Sequence, residues 1–215
     1  MKKVALLGDS IRLGYEKYVK DSLEGVAEVY SPKDNCKFTF NLMRYLRSWV
    51  GEEGIPSSVD LVVWNAGLWD VVRLVGDDNT LTPIDTYGVM IKRLDGYIRC
   101  VFPNAKVVFA TSTNVQEEKY TGNLYRKNAD IEAFNQTAIS ALSKSDTAIL
   151  DLYELTKNIP DDCRSDMTHF NTENGVKLLG GKVLATICKQ LDIKQTDLKD
   201  ASCIPPEIAK EILGA

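Results

Sequence analysis

The sequence predicts a single α/β domain of three layers, α/β/α, with a five-stranded parallel sheet at its centre. Short apolar segments alternate with longer amphipathic segments along the 215 residues. Four of the five apolar segments are nearly continuous in hydrophobic residues, as strands covered on both faces are. Such alternation is typical of parallel strands joined by right-handed crossovers, which place helices on both faces of the sheet.

The first half of the chain supplies three strands and two helices. An apolar run predicts the strand Lys3–Leu7, and the helix Ile11–Leu23 follows it. The second strand is Val26–Tyr30. Phe38–Val50 is predicted to be a helix because its large apolar residues fall on one side. Leu61–Asn65 is the third apolar run and the third strand.

The second half contains the longest helices. Ile84–Phe102 is the clearest, because apolar residues recur in it every three or four positions. We expect Thr82 to cap this helix and Pro83 to lie in its first turn. The remaining strands are Ala105–Thr111 and Thr147–Leu150, and the remaining helices are Tyr125–Leu142, Glu173–Leu191 and a short one after Pro205-Pro206. We expect loops at 76–80 and 113–123, the second long enough to shape a binding site.

The segment after the last long helix is polar and does not continue the strand–helix pattern. We therefore expect a domain at 1–191 and a C-terminal appendage at 192–215, packed on the domain or extending from it.

Composition argues against several classes of protein. A formal net charge of −4 and the lack of a basic stripe argue against a nucleic-acid-binding protein. No segment approaches the roughly 20 apolar residues of a membrane helix, and the apolar run after Met1 is too short for a secretory signal. The five cysteines are scattered and form no CxxC pair, which favours reduced thiols. We expect a cytoplasmic protein.

Candidate catalytic residues lie at the carboxyl edge of the sheet, where open parallel sheets bind ligands. Ser10 follows the first strand, either as a turn and cap residue or as a nucleophile. His169 is the only histidine. Asp166 precedes it by three residues, so a turn can fold the carboxylate onto one imidazole nitrogen and leave the other to take a proton from a serine hydroxyl. A metal site at Asp166 and His169 is the weaker alternative, because no third ligand cluster accompanies them.

Acyl transfer also requires donors for the oxyanion. The backbone N–H of Ser10, at the start of a helix, is one candidate. Asn65 or the amides near Gly67 can supply another from the third strand end, and the loop 31–36 after the second strand can supply the remaining one. We interpret Asp9 as a structural brace for the turn at Ser10.

These motifs resemble those of the SGNH hydrolases, the GDSL lipase and esterase superfamily, from residue 3 to about residue 190. Gly8-Asp9-Ser10 matches the first block of the family, and Asp166-x-x-His169 matches the last. The resemblance implies the flavodoxin-like SGNH hydrolase fold. It also implies a catalytic triad of Ser10, Asp166 and His169, in the chain order Ser, Asp, His.

The second block departs from the family pattern. The family usually has a glycine in the loop after the second strand, and Cys36, or alternatively Asn35, is its equivalent here. The resemblance implies that the backbone N–H of Cys36 joins that of Ser10 in the oxyanion hole.

The third block also departs from the pattern. It usually reads Gly-x-Asn-Asp, and Trp69 stands in the place of that asparagine. Asn65-x-Gly67-x-Trp69 is instead similar to the PC-esterase branch of the superfamily. This similarity implies that Asn65 is the oxyanion asparagine and that Gly67 and Trp69 belong to the substrate-binding pocket.

The resemblance implies a serine esterase that hydrolyses a small acyl ester, such as an acetyl ester on a carbohydrate, through an acyl-enzyme on Ser10. The alternatives are an acyltransferase with the same triad and a non-catalytic carbohydrate-binding member of the fold. The expected partner is a small-molecule ester or acylated sugar. No metal, organic cofactor, nucleic acid or membrane is implied.

Overall fold

Five parallel strands form the central sheet in a computed structural model that describes residues 1–214. The strands are β1 (Lys2–Leu7), β2 (Ala27–Tyr30), β3 (Leu61–Trp64), β4 (Arg73–Leu74), β5 (Lys106–Ala110), β6 (Leu124–Tyr125) and β7 (Ala148–Leu150). The sheet has the order β2-β1-β3-β5-β7, whereas β4 and β6 form a separate antiparallel ribbon. The predicted fold class is confirmed, and each end of the five predicted strands lies within one residue of the observed end.

Two layers of helices cover the sheet. The helices are α1 (Ser10–Ser22), α2 (Thr39–Gly51), α3 (Ile84–Val101), α4 (Asn128–Leu142), α5 (Leu152–Lys157), α6 (Glu173–Leu191) and α7 (Pro206–Leu213). α1 packs against α6, while α3 packs against both α2 and α4. Right-handed crossovers account for the two helix layers. The chain moves from β1 to β2 toward one edge of the sheet and then continues from β3 toward the opposite edge, so the connecting helices lie on different faces.

The pairing of β1 with β3 brings two polar strand ends together. Both strands are buried along their apolar residues, as interior parallel strands are. Leu7 pairs with Trp64, and the Asn65 N–H donates to the Leu7 carbonyl at 3.0 Å. Gly8 and Asn65 therefore leave the sheet side by side.

Two sequence predictions around the helices are wrong. The helix predicted over Tyr125–Leu142 begins only at Asn128, because Leu124–Tyr125 pairs with Arg73–Leu74 in the ribbon. Thr82 does not cap α3, because its hydroxyl donates to Asp70 Oδ1 at 2.9 Å and the N-cap residue is Pro83. The short helix α5 has no counterpart among the predicted elements.

The segment after α6 packs on the rest of the chain. Asp192 ends α6 in the left-handed conformation, and α7 lies against α6. Ile204 and Ile208 are buried in the same hydrophobic core as the sheet. Residue 215, the last of the predicted appendage, lies outside the described residues. No helix within residues 1–214 is long and apolar enough to cross a membrane.

Candidate active site

Ser10 is the first residue of α1, and only Gly8 and Asp9 separate it from the end of β1. Asp9 caps the helix, because its Oδ1 accepts a hydrogen bond from the Ile11 N–H at 3.0 Å. This cap fixes the turn and holds the Ser10 side chain at the carboxyl edge of the sheet. The Ser10 N–H lies in the first turn of α1, where backbone donors have no partner within the helix.

His169 joins Ser10 to Asp166. The Ser10 Oγ lies 2.8 Å from His169 Nε2, and His169 Nδ1 lies 2.8 Å from Asp166 Oδ2. Asp166 Oδ1 also accepts the backbone N–H groups of Thr168 at 2.7 Å and His169 at 2.8 Å. The tight turn predicted for Asp-x-x-His therefore holds the imidazole through both its side chain and its backbone.

The Asp166 carboxylate is stabilised in its ionised form. Partial burial raises the pKa of Asp166, but the hydrogen bonds from Thr168 and His169 outweigh it, so the pKa lies below its ordinary value. An ionised carboxylate at Nδ1 favours the tautomer in which Nε2 is free to accept the serine proton.

Asn65 lies against the Gly-Asp-Ser turn. A Cβ atom built on Gly8 would lie 1.9 Å from Asn65 Oδ1 and 2.9 Å from Arg12 Cβ, so only glycine fits there. Asn65 is 5% exposed and also lies beside the Asp9 carboxylate. The structure thus brings Asn65 next to the residues that precede Ser10.

Asp9 is fully buried beneath this turn. Burial raises its pKa above the ordinary value, while Asn65, the Ile11 N–H and the positive charges of Arg126 and Arg12 lower it in part. Its cap to Ile11 fits the predicted role of Asp9 as a brace.

Cys36 does not offer its backbone N–H to the site. That N–H donates to the Gly8 carbonyl at 3.0 Å, and the Gly8 N–H donates to Cys36 Sγ at 3.3 Å. Burial raises the pKa of the Cys36 thiol to about 12, so the thiol is neutral. The expectation that the Cys36 N–H belongs to the oxyanion hole is therefore wrong, because Gly8 already occupies this donor.

Gly67 and Trp69 lie in different environments. Gly67 is packed in the interior, where an added Cβ would lie 2.3 Å from Ser112 Oγ and 3.1 Å from the Tyr87 hydroxyl. Trp69 is partly exposed, in the turn that follows β3. Of these two predicted pocket residues, Trp69 is the one with a partly exposed side chain.

Arg126 is a charged residue near the site that no sequence pattern indicates, because helical periodicity assigns it to a helix. Its Nε donates to the Leu68 carbonyl, and its Nη1 donates to the Tyr120 hydroxyl at 3.2 Å. Tyr120 in turn lies 2.8 Å from Thr168 Oγ1, one residue before His169. Arg126 thus connects the loop after β3 to the loop of His169.

Residues 1–214 contain no group of three His, Cys, Asp or Glu side chains arranged to hold a metal ion. Asp166 and His169 instead make the contacts described above with each other and with Ser10.

Several solved structures are similar to this chain. A lipase/acylhydrolase from Enterococcus faecalis has a TM-score of 0.67 at 20% sequence identity, over 93% of this chain and 98% of that chain. An acetyl xylan esterase has a TM-score of 0.65 at 17% identity, over 86% and 99%. A GDSL-like lipase from Bacteroides thetaiotaomicron has a TM-score of 0.65 at 17% identity, over 87% and 88%.

The chain shares their fold. At sequence identities this low, structural similarity shows a shared fold and nothing further. No protein-family model matches the sequence, and no curated protein does.

Proposed function

We propose that this protein is a serine hydrolase of the SGNH type that cleaves ester bonds through an acyl-enzyme on Ser10. The observation that carries the proposal is the continuous hydrogen-bonded relay from Ser10 Oγ through His169 to Asp166, with 2.8 Å at each step. A serine hydroxyl is a weak nucleophile by itself, and an adjacent oriented base activates it.

Acylation begins when Ser10 Oγ attacks the carbonyl carbon of the ester and His169 Nε2 takes the hydroxyl proton. The imidazolium that forms is stabilised by the Asp166 carboxylate. The tetrahedral intermediate then collapses, the bond to the alcohol oxygen breaks, and His169 gives its proton to the departing alcohol.

Deacylation repeats these steps with water. His169 Nε2 removes a proton from a water molecule, whose oxygen attacks the acyl carbon on Ser10. Collapse of the second intermediate returns the proton to Ser10 Oγ and releases the carboxylic acid.

The oxyanion of both intermediates is held by the Ser10 N–H and the Asn65 carboxamide in this proposal. The helix N-terminus at Ser10 adds favourable partial charge. Asn65 is supported by its contact with Gly8, two residues before the nucleophile. Trp69 is proposed as a wall of the pocket.

The proposed substrate is a small acyl ester, with an acetylated carbohydrate as the leading example. Proteins that share the fold include one named as an acetyl xylan esterase and two named as lipases or acylhydrolases. These names support an acyl ester as the class of substrate.

The test is turnover of p-nitrophenyl acetate together with labelling by a fluorophosphonate probe. The wild-type protein should release more than one equivalent of p-nitrophenol and carry the label on Ser10. Ser10→Ala should lose both, whereas Ser140→Ala, a control at an exposed helical serine, should keep both. Label that survives in Ser10→Ala would rule out Ser10 as the nucleophile.

A further inference from the structure

Arg126 has an unusual combination of burial and charge. It is 7% exposed, yet it forms no ion pair with any side chain in residues 1–214. Buried charges in proteins are ordinarily paired, because removing a charge from water is costly. Its two protein partners are the Leu68 carbonyl and the Tyr120 hydroxyl, which are both neutral.

Two other arginines of the chain have their charges balanced. Arg12, which is fully buried, pairs with Glu16 and also donates to backbone carbonyls, including that of Pro32 at 3.0 Å. Arg73, on the ribbon strand that pairs with β6, contacts Asp130 through both Nε at 2.6 Å and Nη2 at 3.0 Å. Arg126 follows β6 directly and has no such partner.

Only two of the three nitrogens of the Arg126 guanidinium donate hydrogen bonds within residues 1–214. Nε and Nη1 donate to the protein, whereas Nη2 has no partner within residues 1–214. A guanidinium held at two nitrogens is fixed in orientation, and its remaining N–H groups are available to an anion.

Arg126 also lies at the reacting edge of the sheet. One of its contacts, Leu68, is adjacent to Trp69, and the other, Tyr120, contacts Thr168 next to His169. The positive charge of Arg126 also acts on Asp9, which precedes Ser10. Arg126 therefore contacts the loop after β3 and, through Tyr120, is linked to the loop of His169, while its charge reaches the turn before Ser10.

We infer that Arg126 binds a carboxylate carried by the ester substrate, so that the protein prefers monoanionic esters over neutral ones. This inference rests on the proposed function. A single cation with one unused nitrogen matches the charge of a monoanion, whereas a phosphate dianion calls for more positive charge.

Hydrolysis of two matched esters tests the inference. p-Nitrophenyl hydrogen succinate carries a free carboxylate, and p-nitrophenyl methyl succinate has that carboxylate masked as a neutral ester. At low ionic strength, the ratio of their kcat/KM values should favour the anionic ester by about tenfold or more in the wild-type protein. Arg126→Gln should remove most of this preference. Arg73→Gln, which removes one positive charge from the neighbouring ribbon, should keep it.

Binding without turnover separates this inference from the proposed function. Monomethyl succinate should bind to Ser10→Ala in a calorimetric titration, and Ser10→Ala/Arg126→Gln should bind it at least about tenfold more weakly. If the wild-type protein hydrolyses neither ester but this difference persists, the proposed function fails and the anion site stands.

Other outcomes overturn the inference and leave the proposed function standing. One is that the wild-type protein hydrolyses both esters with equal kcat/KM, an outcome that is measured without any variant. The other is an Arg126→Gln protein that loses kcat/KM equally for both esters, because a purely structural arginine would act so. Should Arg126→Gln fail to fold, Arg126→Lys keeps the charge without the fork, and it should retain only part of the preference.

Discussion

A single histidine carries the proton in the proposed reaction, so one ionisation should control the rate. kcat/KM for a neutral ester should rise once with pH, as the general base loses its proton. Asp166 should add no second step, because its hydrogen bonds hold its pKa below the ordinary value. The measurement is kcat/KM between pH 5 and 9. A flat profile, or full activity in His169→Ala, would contradict the role of His169.

Asn65 and Trp69 are the two candidates for the oxyanion donor at the end of β3, and their substitutions should have different kinetic effects. Asn65→Ala should lower kcat by about 100- to 1000-fold with little change in KM, because an oxyanion donor acts on the transition state. Trp69→Phe should mainly raise KM, because a pocket wall contributes to substrate and transition state alike.

Steady-state kinetics with p-nitrophenyl acetate and p-nitrophenyl butyrate measures both effects. Full kcat in Asn65→Ala would show that the oxyanion depends on backbone donors. The position of Asn65 against Gly8 adds a check, since Gly8→Ala forces a Cβ to 1.9 Å from Asn65 Oδ1 and should also lower kcat.

At the scale of elements, the start of α6 supports the loop that carries His169. Gly175 lies in the first turn of α6, where its N–H donates to the Thr172 cap at 3.1 Å. A Cβ atom on Gly175 would lie 2.1 Å from the Cys163 carbonyl oxygen and 2.6 Å from the Phe170 carbonyl oxygen. Both obstacles are backbone atoms, one of them adjacent to His169, so the backbone itself must move.

Gly175→Ala should therefore lower the free energy of unfolding by about 1–3 kcal/mol and also displace His169, with loss of activity. Gly96→Ala is the control, because Gly96 lies in α3 with no atom within 4 Å of the added Cβ. That variant should gain about 0.5–1 kcal/mol. Denaturant unfolding of both variants measures the difference, and equal stabilities would contradict this account of Gly175.

At the scale of the whole molecule, elements with a regular hydrophobic pattern can be predicted from the sequence. Elements that form only when distant segments pair cannot. Buried parallel strands have a continuous apolar pattern, so β1 and β3 are visible in the sequence, and the sheet order follows the common doubly wound arrangement. The β4–β6 ribbon has only two residues in each strand and exists through contacts between distant segments. Nothing in the local sequence distinguishes Leu124–Tyr125 from the start of a helix.

The same distinction applies to the site. Asp166 and His169 are three residues apart, so a local turn accounts for their contact, and the end of β1 accounts for Ser10. The Cys36 N–H is different, because whether it is free depends on Gly8, 28 residues away. That Arg126 forms no ion pair within residues 1–214 likewise depends on its distance from acids elsewhere in the chain, and this is not a property of any window of sequence.

The last prediction concerns Asp70, which ties together segments from three parts of the chain. It follows β3 and is fully buried. Its Oδ1 accepts the hydroxyls of Thr39 at 2.7 Å and Thr82 at 2.9 Å, and its Oδ2 accepts the Thr39 N–H at 3.0 Å. The carboxylate thus connects the end of β3 to the starts of α2 and α3.

Burial raises the pKa of Asp70 from 3.8 to about 6, although the hydrogen bonds from Thr39 and Thr82 offset part of the effect. Between these two pH values the folded state binds more protons than the unfolded state, so this group makes the protein less stable as pH rises. A shift of about two units corresponds to about 3 kcal/mol.

Asp70→Asn does not titrate, so the stability of the wild-type protein relative to this variant should fall by up to that amount between pH 4 and pH 7. Urea unfolding of both proteins at the two pH values measures it, and a difference that is the same at both would mean that Asp70 stays ionised in the folded protein throughout.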